Sequence, residues 1–276
     1  MNAPLFIQRI INKNRPPLKT FWWRYRYPHK LNFGDELTPY ILKSLWGIKC
    51  EWVKIDKCDF AATGSIIEIL QWESNGKPIK VWGSGFIKPG PRYADKNLDF
   101  YAVRGPKSLS RIVQRRDVAL GDPGLLCNRV FKRSKQVKYK VGVVFHYTDQ
   151  EARELDAIRD NPEYLLINPL NTPQQVIADI TSCEIIFSSS LHGLIVADSF
   201  GVPNFWMPFS ELLGGEYKFN DYYMATDRSL VKRLPSILGD ESEIEAAVGQ
   251  YEPISNLKEI QKNLIKSFPY NISLGN

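Results

Sequence analysis

The sequence predicts an α/β protein made of two Rossmann-like domains whose parallel sheets face each other across a cleft. Three observations carry this reading. Short runs rich in β-branched and aromatic residues alternate with helical patterns in both halves of the chain. A charged, apolar-poor stretch, Lys132 to Lys140, separates the halves. The turns richest in small and chemically active residues each follow a strand pattern, and open α/β sheets bind ligands at the carboxyl ends of their strands. The expected divisions are 1–131, 132–240 and a pair of final helices in 241–276 that pack back on the first domain.

The chain has 276 residues, enough for two modest α/β domains. It is 43% hydrophobic and 24% charged, with a net charge of +6. That balance suits an anionic ligand, an anionic lipid surface or nucleic acid. The basic residues form no recognisable nucleic-acid module, so no nucleic-acid partner is expected. Cys50, Cys58, Cys127 and Cys183 are scattered without a CxxC pair and read as reduced packing residues of a cytoplasmic protein. No apolar run approaches the ~20 residues of a membrane span, and Arg9 interrupts the only apolar stripe near the start.

Before residue 31 there is no acidic residue, whereas Arg9, Lys13, Arg15, Lys19, Arg24, Arg26 and Lys30 are basic. With Phe6, Ile7, Ile10, Ile11 and Phe21-Trp22-Trp23, this arm suits an anionic membrane surface or a sugar or acidic ligand. It equally suits a solvated arm followed by a first strand, Thr20 to Tyr27. In Asn32-Phe33-Gly34-Asp35, the glycine allows a tight turn and Asp35 is placed to cap a helix carrying Leu37, Ile41, Leu42 and Leu45. Strands are expected over Cys50 to Ile55, Phe60 to Ser65, Lys80 to Ile87 and Phe100 to Val103. The third of these ends in Gly83-Ser84-Gly85, where small residues let a ligand approach the backbone. Arg104 ends the fourth, where its guanidinium could fork onto a carboxylate or phosphate, or make a salt bridge. In the second half, strands are expected over Lys140 to Phe145, Tyr164 to Asn168 and Val202 to Trp206, with helices over Glu151 to Ile158 and Thr172 to Ser182.

The densest signal runs from Ser188 to Pro203. The apolar run Cys183 to Phe187 precedes it, and Leu194, Ile195, Ala197 and Phe200 follow at helical spacing before Gly201 and Pro203 stop the helix. Ser189, Ser190, Leu191 and His192 therefore sit on a strand-to-helix turn. Such a turn offers backbone N–H groups, hydroxyls and the positive end of a helix dipole to an anion. A histidine there also moves protons near neutral pH, or simply packs. Farther on, Gly214-Gly215 leads into Lys218 and Phe219, a loop and helix that could close over a ligand or equally form a surface helix with a solvated lysine.

Several of these pieces together resemble the polysaccharide pyruvyl transferase family. They are Asn32-Phe33-Gly34-Asp35, Gly83-Ser84-Gly85, Val103-Arg104-Gly105-Pro106, Gly121-Asp122-Pro123, Ser190-Leu191-His192-Gly193 with Gly201-Val202-Pro203, and Lys218-Phe219 before Asp221-Tyr222-Tyr223. The resemblance implies a GT-B-like arrangement. It also implies an enzyme that moves the enolpyruvyl group of phosphoenolpyruvate onto two sugar hydroxyls of a polysaccharide or lipid-linked oligosaccharide, forming a cyclic ketal and releasing phosphate. His192 is then the proton-transfer group and a phosphate or bridging-oxygen partner, and Asp35 a base or acceptor-hydroxyl ligand. Arg104, Ser189, Ser190, Leu191, His192 and Lys218 are the donor site, and Asn32, Ser84 and Gly85 meet the acceptor or line the cleft. Many members carry Arg where this chain has Ser190. The expected cation is then Arg104 or Lys218. No metal and no cofactor beyond the phosphoenolpyruvate donor is expected. The implied location is cytoplasmic, with the basic aromatic arm offering peripheral contact at the inner face of the membrane. Two rivals stand beside this reading. A nucleotide-sugar glycosyltransferase would need a ribose-binding carboxylate, for which Asp198 and Glu211 are the candidates. A non-catalytic glycan-binding protein would keep the cleft without the chemistry.

Overall fold

A computed structural model describes residues 2–24, 31–93, 97–113, 116–230, 234, 238 and 240–273. Arg26, Lys30 and the Tyr27 end of the expected first strand lie outside the described residues. In the first half β1 (Leu18–Phe21), β2 (Cys50–Trp52), β3 (Phe60–Ala61), β4 (Ile79–Ser84), β5 (Leu98–Val103) and β6 (Ala119–Leu120) form one sheet, in spatial order β2-β1-β3-β4-β5-β6. In the second half β7 (Tyr139–Val144), β8 (Tyr164–Ile167), β9 (Cys183–Ser188) and β10 (Asn204–Trp206) form another, in order β10-β9-β7-β8. Every paired strand is parallel, as βα alternation requires. The helices are α1 (Leu5–Asn12), α2 (Leu37–Trp46), α3 (Ile67–Glu73), α4 (Pro106–Leu109), α5 (Cys127–Val130), α6 (Pro173–Ile180), α7 (Leu191–Phe200), α8 (Tyr217–Ala225), α9 (Glu241–Val248) and α10 (Leu257–Ser267). Among the described residues, no helix is long and apolar enough to cross a membrane.

Strand alternation sorts the apolar side chains into layers. Ile79 and Val81 of β4 face one core with Phe100, Ile67 and Leu70, while Trp82 faces the other side. Val141, Val143, Ile185 and Phe187 face the outer core of the second sheet, whereas Val144 and Ile186 face inward. The central core is continuous between the halves: Leu37, Ile41, Leu42, Leu125 and Leu126 share it with Ile177, Ile180, Leu194 and Ile195. At roughly 1.5–3 kcal/mol for each fully buried aliphatic side chain, this seam contributes much of the stability. α7 is its axis. It is buried except at Phe200, and packed on α5, α6 and the 123–126 turn. Gly201 ends it in the left-handed conformation, at φ +66°.

The final helices separate. α10 lies on the first sheet: Phe268, the residue just after it, stacks on Trp46 at 4.0 Å, and Trp82 Nε1 donates to the Leu264 carbonyl at 3.0 Å. α9 goes elsewhere than expected and buries Ile244 in the outer core of the second sheet. Its apolar stripe matches the Val141–Phe187 layer, and the Asp240 cap starts it there by accepting from the backbone of Ser242 and Glu243.

Candidate active site

Each sheet reverses its winding once. In the first sheet, β1 lies between β2 and β3; in the second, β7 lies between β8 and β9. Crevices open beyond the carboxyl ends of strands at such reversals. The segments leaving those strands are Trp22-Trp23 and Thr63-Gly64-Ser65 from the first sheet, and His146-Tyr147 and Ser189-Ser190-Leu191 from the second. Trp23, Gly64, Ser65, His146, Tyr147, Ser190 and Leu191 line one cavity of about 490 Å³, so both crevices open into the same space. Asn32, Asp35, Arg104, His192 and Lys218 also line it, and Ile69, Trp72, Leu212 and Leu213 form an apolar margin. Of that margin, Trp72 is 67% and Leu213 68% exposed.

Asp35 does not cap α2. Glu36 holds the cap position, without a side-chain bond, and the Asp35 carboxyl faces the cavity. Among the described residues nothing donates a hydrogen bond to it. Burial pushes it up to about 7, with Glu36 and Asp122 adding repulsion and Lys218 opposing. Lys218, near the start of α8, is pushed down to about 8 by burial and by the Arg104 charge, with Asp35 opposing. The loop before it lies against the first half, where Gly214 meets the Ile87–Lys88 backbone.

The His192 ring rests directly on Gly34, where any Cβ would overlap it; this is the reason for glycine in the Asn-Phe-Gly-Asp turn. Burial, then the charges of Arg104 and Lys218, hold the ring neutral and push it down to about 3. Its Nε2 is buried with no hydrogen-bond partner, 3.9 Å from Asp122 Oδ2. Asp122 itself is pushed up to about 6 by burial, against the Gly124 N–H and Arg104. A buried, unspent ring nitrogen beside a cavity is a group with bonding capacity left for a ligand.

Arg104 is not a free anion clamp. Its Nε donates to Asp221 Oδ2 at 3.1 Å, Nη1 to Ser65 Oγ at 2.6 Å and Nη2 to the Phe86 carbonyl at 2.6 Å. Asp221 also accepts from Ser108 N at 2.9 Å and Ser108 Oγ at 2.6 Å. The pair is buried, and it ties α8 of the second half to α4 of the first. Arg104 therefore reaches the cavity with its charge already met, and Lys218 is the cation that faces it without a salt-bridge partner among the described residues.

Three other expected residues lie off the cavity. Ser189 is fully buried; its hydroxyl donates to Asp149 Oδ2 at 2.9 Å and accepts from His146 N at 2.6 Å. Ser84 donates to the Gly64 carbonyl at 2.7 Å, and Gly85 backs the Arg104 guanidinium. Each serves the wall instead. The sequence reading missed His146, pushed down to about 4 chiefly by burial, along with Asp122 as the neighbour of His192, Asp221 as the partner of Arg104, and Trp72. The Gly-Asp-Pro and Asp-Tyr-Tyr motifs flagged two of these, but not what they touch.

Asp198, a ribose-ligand candidate for the glycosyltransferase rival, is committed elsewhere. It accepts from Arg228 Nη1 and Nη2 at 3.1 and 2.7 Å, Asn204 Nδ2 at 2.8 Å, and the hydroxyls of Tyr222 and Tyr251 at 2.6 and 3.1 Å.

Comparison with known proteins agrees with the motifs. The sequence profile of the polysaccharide pyruvyl transferase family matches residues 4–210. The succinoglycan biosynthesis protein ExoV of Rhizobium meliloti is 30% identical over 74% of this chain, which spans 64% of ExoV. An uncharacterized protein of Acanthamoeba polyphaga mimivirus is 29% identical over 70% of each chain. A functionally uncharacterized protein of Klebsiella pneumoniae gives a TM-score of 0.42 at 13% identity, over 84% of this chain and all of that one. With three quarters of its length matched by the profile, this chain belongs to the polysaccharide pyruvyl transferase family.

Proposed function

We propose that the cavity transfers the pyruvyl group of phosphoenolpyruvate onto two hydroxyls of a sugar in a polysaccharide or lipid-linked oligosaccharide. The observation that carries this is Lys218 facing the same cavity as Asp35 and His192, with Arg104 in its wall. The donor bears a carboxylate and a phosphate. Lys218 takes one anionic group, and Ser190 with the N-terminus of α7 takes the other, beside the wall that the Asp221-paired Arg104 holds in place. Ser190 stands where many members carry Arg, and Lys218 supplies the charge in its place.

Chemistry needs a proton delivered to C3 of the enol, leaving an oxocarbenium-like C2. A sugar hydroxyl attacks C2 and gives up its proton. The C2–O bond to phosphate then breaks, and the second hydroxyl closes the ketal, its proton leaving on the phosphate. Burial and the charges of Arg104 and Lys218 keep His192 neutral; a bound dianion beside it favours the imidazolium and makes it the proton donor. Asp35, whose pKa burial raises to about 7, takes the hydroxyl proton in its ionised form. The acceptor enters over Trp72 and Trp23, whose rings suit a sugar face, and the ExoV description points to a polysaccharide acceptor. In this reading the sheets stand as in GT-B enzymes, and the enzyme works in the cytoplasm. The saturation of Asp198 favours it over a nucleotide-sugar transferase.

Phosphate release from phosphoenolpyruvate, measured across a glycan panel, tests the proposal. His192→Gln is expected to lower turnover by about 10²–10⁴-fold. Turnover at the wild-type rate would remove His192 from the reaction, and donor binding without release would favour the glycan-binding alternative.

A further inference from the structure

Helix α1 packs Leu5 against the core, yet its most buried side chains are polar and large apolar ones are exposed. Its buried residues are Gln8 and Asn12, while Phe6 and Ile10 are 63% and 69% exposed and Ile11 41%. The inward polar face has a clear task. Asn12 Nδ2 donates to the Trp46 carbonyl at 2.9 Å and Arg9 Nε to the Leu45 carbonyl at 3.2 Å, serving carbonyls at the end of α2 that have no helical partner. Gln8 donates to the Ala3 carbonyl and accepts from Ile272 N. None of this requires Phe6 and Ile10 to be apolar. They lie one turn apart on the outer face, with Lys13 on the next turn.

We infer that this outer face is a docking surface for an anionic lipid bilayer. Charge selects the occupant. Residues 2–24 hold Arg9, Lys13, Arg15, Lys19 and Arg24 and no acidic side chain. Lys43 and Lys49 flank the Gly47 backbone on which α1 packs. Lys13, Arg15, Lys43 and Lys49 have no ion-pair partner among the described residues. An apolar stripe framed by lysine and arginine matches an interfacial helix, and a second copy of so basic a face would be repelled. α1 sits at the far end of α2 from Asp35, roughly 15 Å along that helix, so docking leaves the cavity mouth open to a glycan.

Co-sedimentation of the full chain with vesicles tests this without reference to activity. Wild type is expected to pellet with vesicles of phosphatidylglycerol and phosphatidylcholine in equal parts, far less with phosphatidylcholine alone, and less as salt rises. Phe6→Ser with Ile10→Ser is expected to weaken binding at least about tenfold. Lys13→Glu with Arg15→Glu, which leaves the apolar stripe intact, is expected to do the same for the anionic vesicles. Wild type left in the supernatant at low salt, equal binding to both vesicle types, or unchanged binding by either double variant would overturn the inference. So would self-association in sedimentation velocity that Phe6→Ser with Ile10→Ser abolishes in a chain that ignores vesicles.

Discussion

Asp198 is buried and Asp35 half-buried at the cavity wall, and the two carboxyls have been treated in opposite ways. Asp198 is surrounded by donors: a two-armed arginine, an amide and two phenols. Asp35 has no hydrogen-bond donor among the described residues, and its charged form is opposed by burial and by two other acids. The first arrangement holds α7, α8 and β10 together and leaves no lone pair for a ligand. The second stores bonding capacity at a cost in stability, the usual condition of a group kept for chemistry.

Breaking the closed network is expected to have the largest effect. Asp198→Ala strands Arg228 in the interior and should destabilise the fold by about 3–5 kcal/mol in urea unfolding. A loss under 1 kcal/mol would mean that the network is not structural. Asp35→Asn is expected to behave oppositely, cutting turnover about a hundredfold without loosening the fold. Turnover within twofold of wild type would return Asp35 to the role of a turn residue.

The open site also has a pH signature. In the proposed reaction Asp35 can serve as a base only above its pKa of about 7, and Lys218 can hold an anion only below its pKa of about 8. A narrow bell in kcat/KM is expected, its two limbs belonging to the coupled pair. Asp35→Asn should flatten the acid limb. Lys218→Met should raise the donor KM by about tenfold and remove the alkaline limb. A flat profile from acid to alkaline pH would contradict the pairing.

The smallest effect is in stability. Below its folded pKa, Asp35 keeps a proton that the unfolded chain, ionising in the ordinary carboxylate range, gives up. Stability from this group therefore falls as pH rises through that interval and stays low above about 7. Asp35→Asn should then raise Tm by about 2–4 °C at pH 8 and by nothing at pH 3, as differential scanning calorimetry would show.

Much of the fold was legible because it rests on long apolar runs. β4, β5, β7, β9 and α7 are each marked by their own residues. β3 and β6, two residues each, owe their existence to pairing with neighbours. α1 was read as part of an arm, since its hydrogen bonds depend on where α2 ends. Among the residues lining the cavity, His192 and Lys218 lie on turns that the sequence marks. Ser189 and Ser190 were not separable in sequence, yet the extended backbone there turns neighbouring side chains to opposite sides, one to Asp149 and one to the cavity. Arg104 and Asp221 meet across 117 positions, and nothing local in either announces the other.

The central claim is that this cavity grips a small doubly anionic donor through Lys218. Isothermal titration of the full chain with phosphoenolpyruvate, UDP and GDP tests it most directly. Saturable binding of phosphoenolpyruvate, weakened about tenfold by Lys218→Met, with no heat from either nucleotide, is the expected result. Binding of UDP or GDP in place of phosphoenolpyruvate would contradict it.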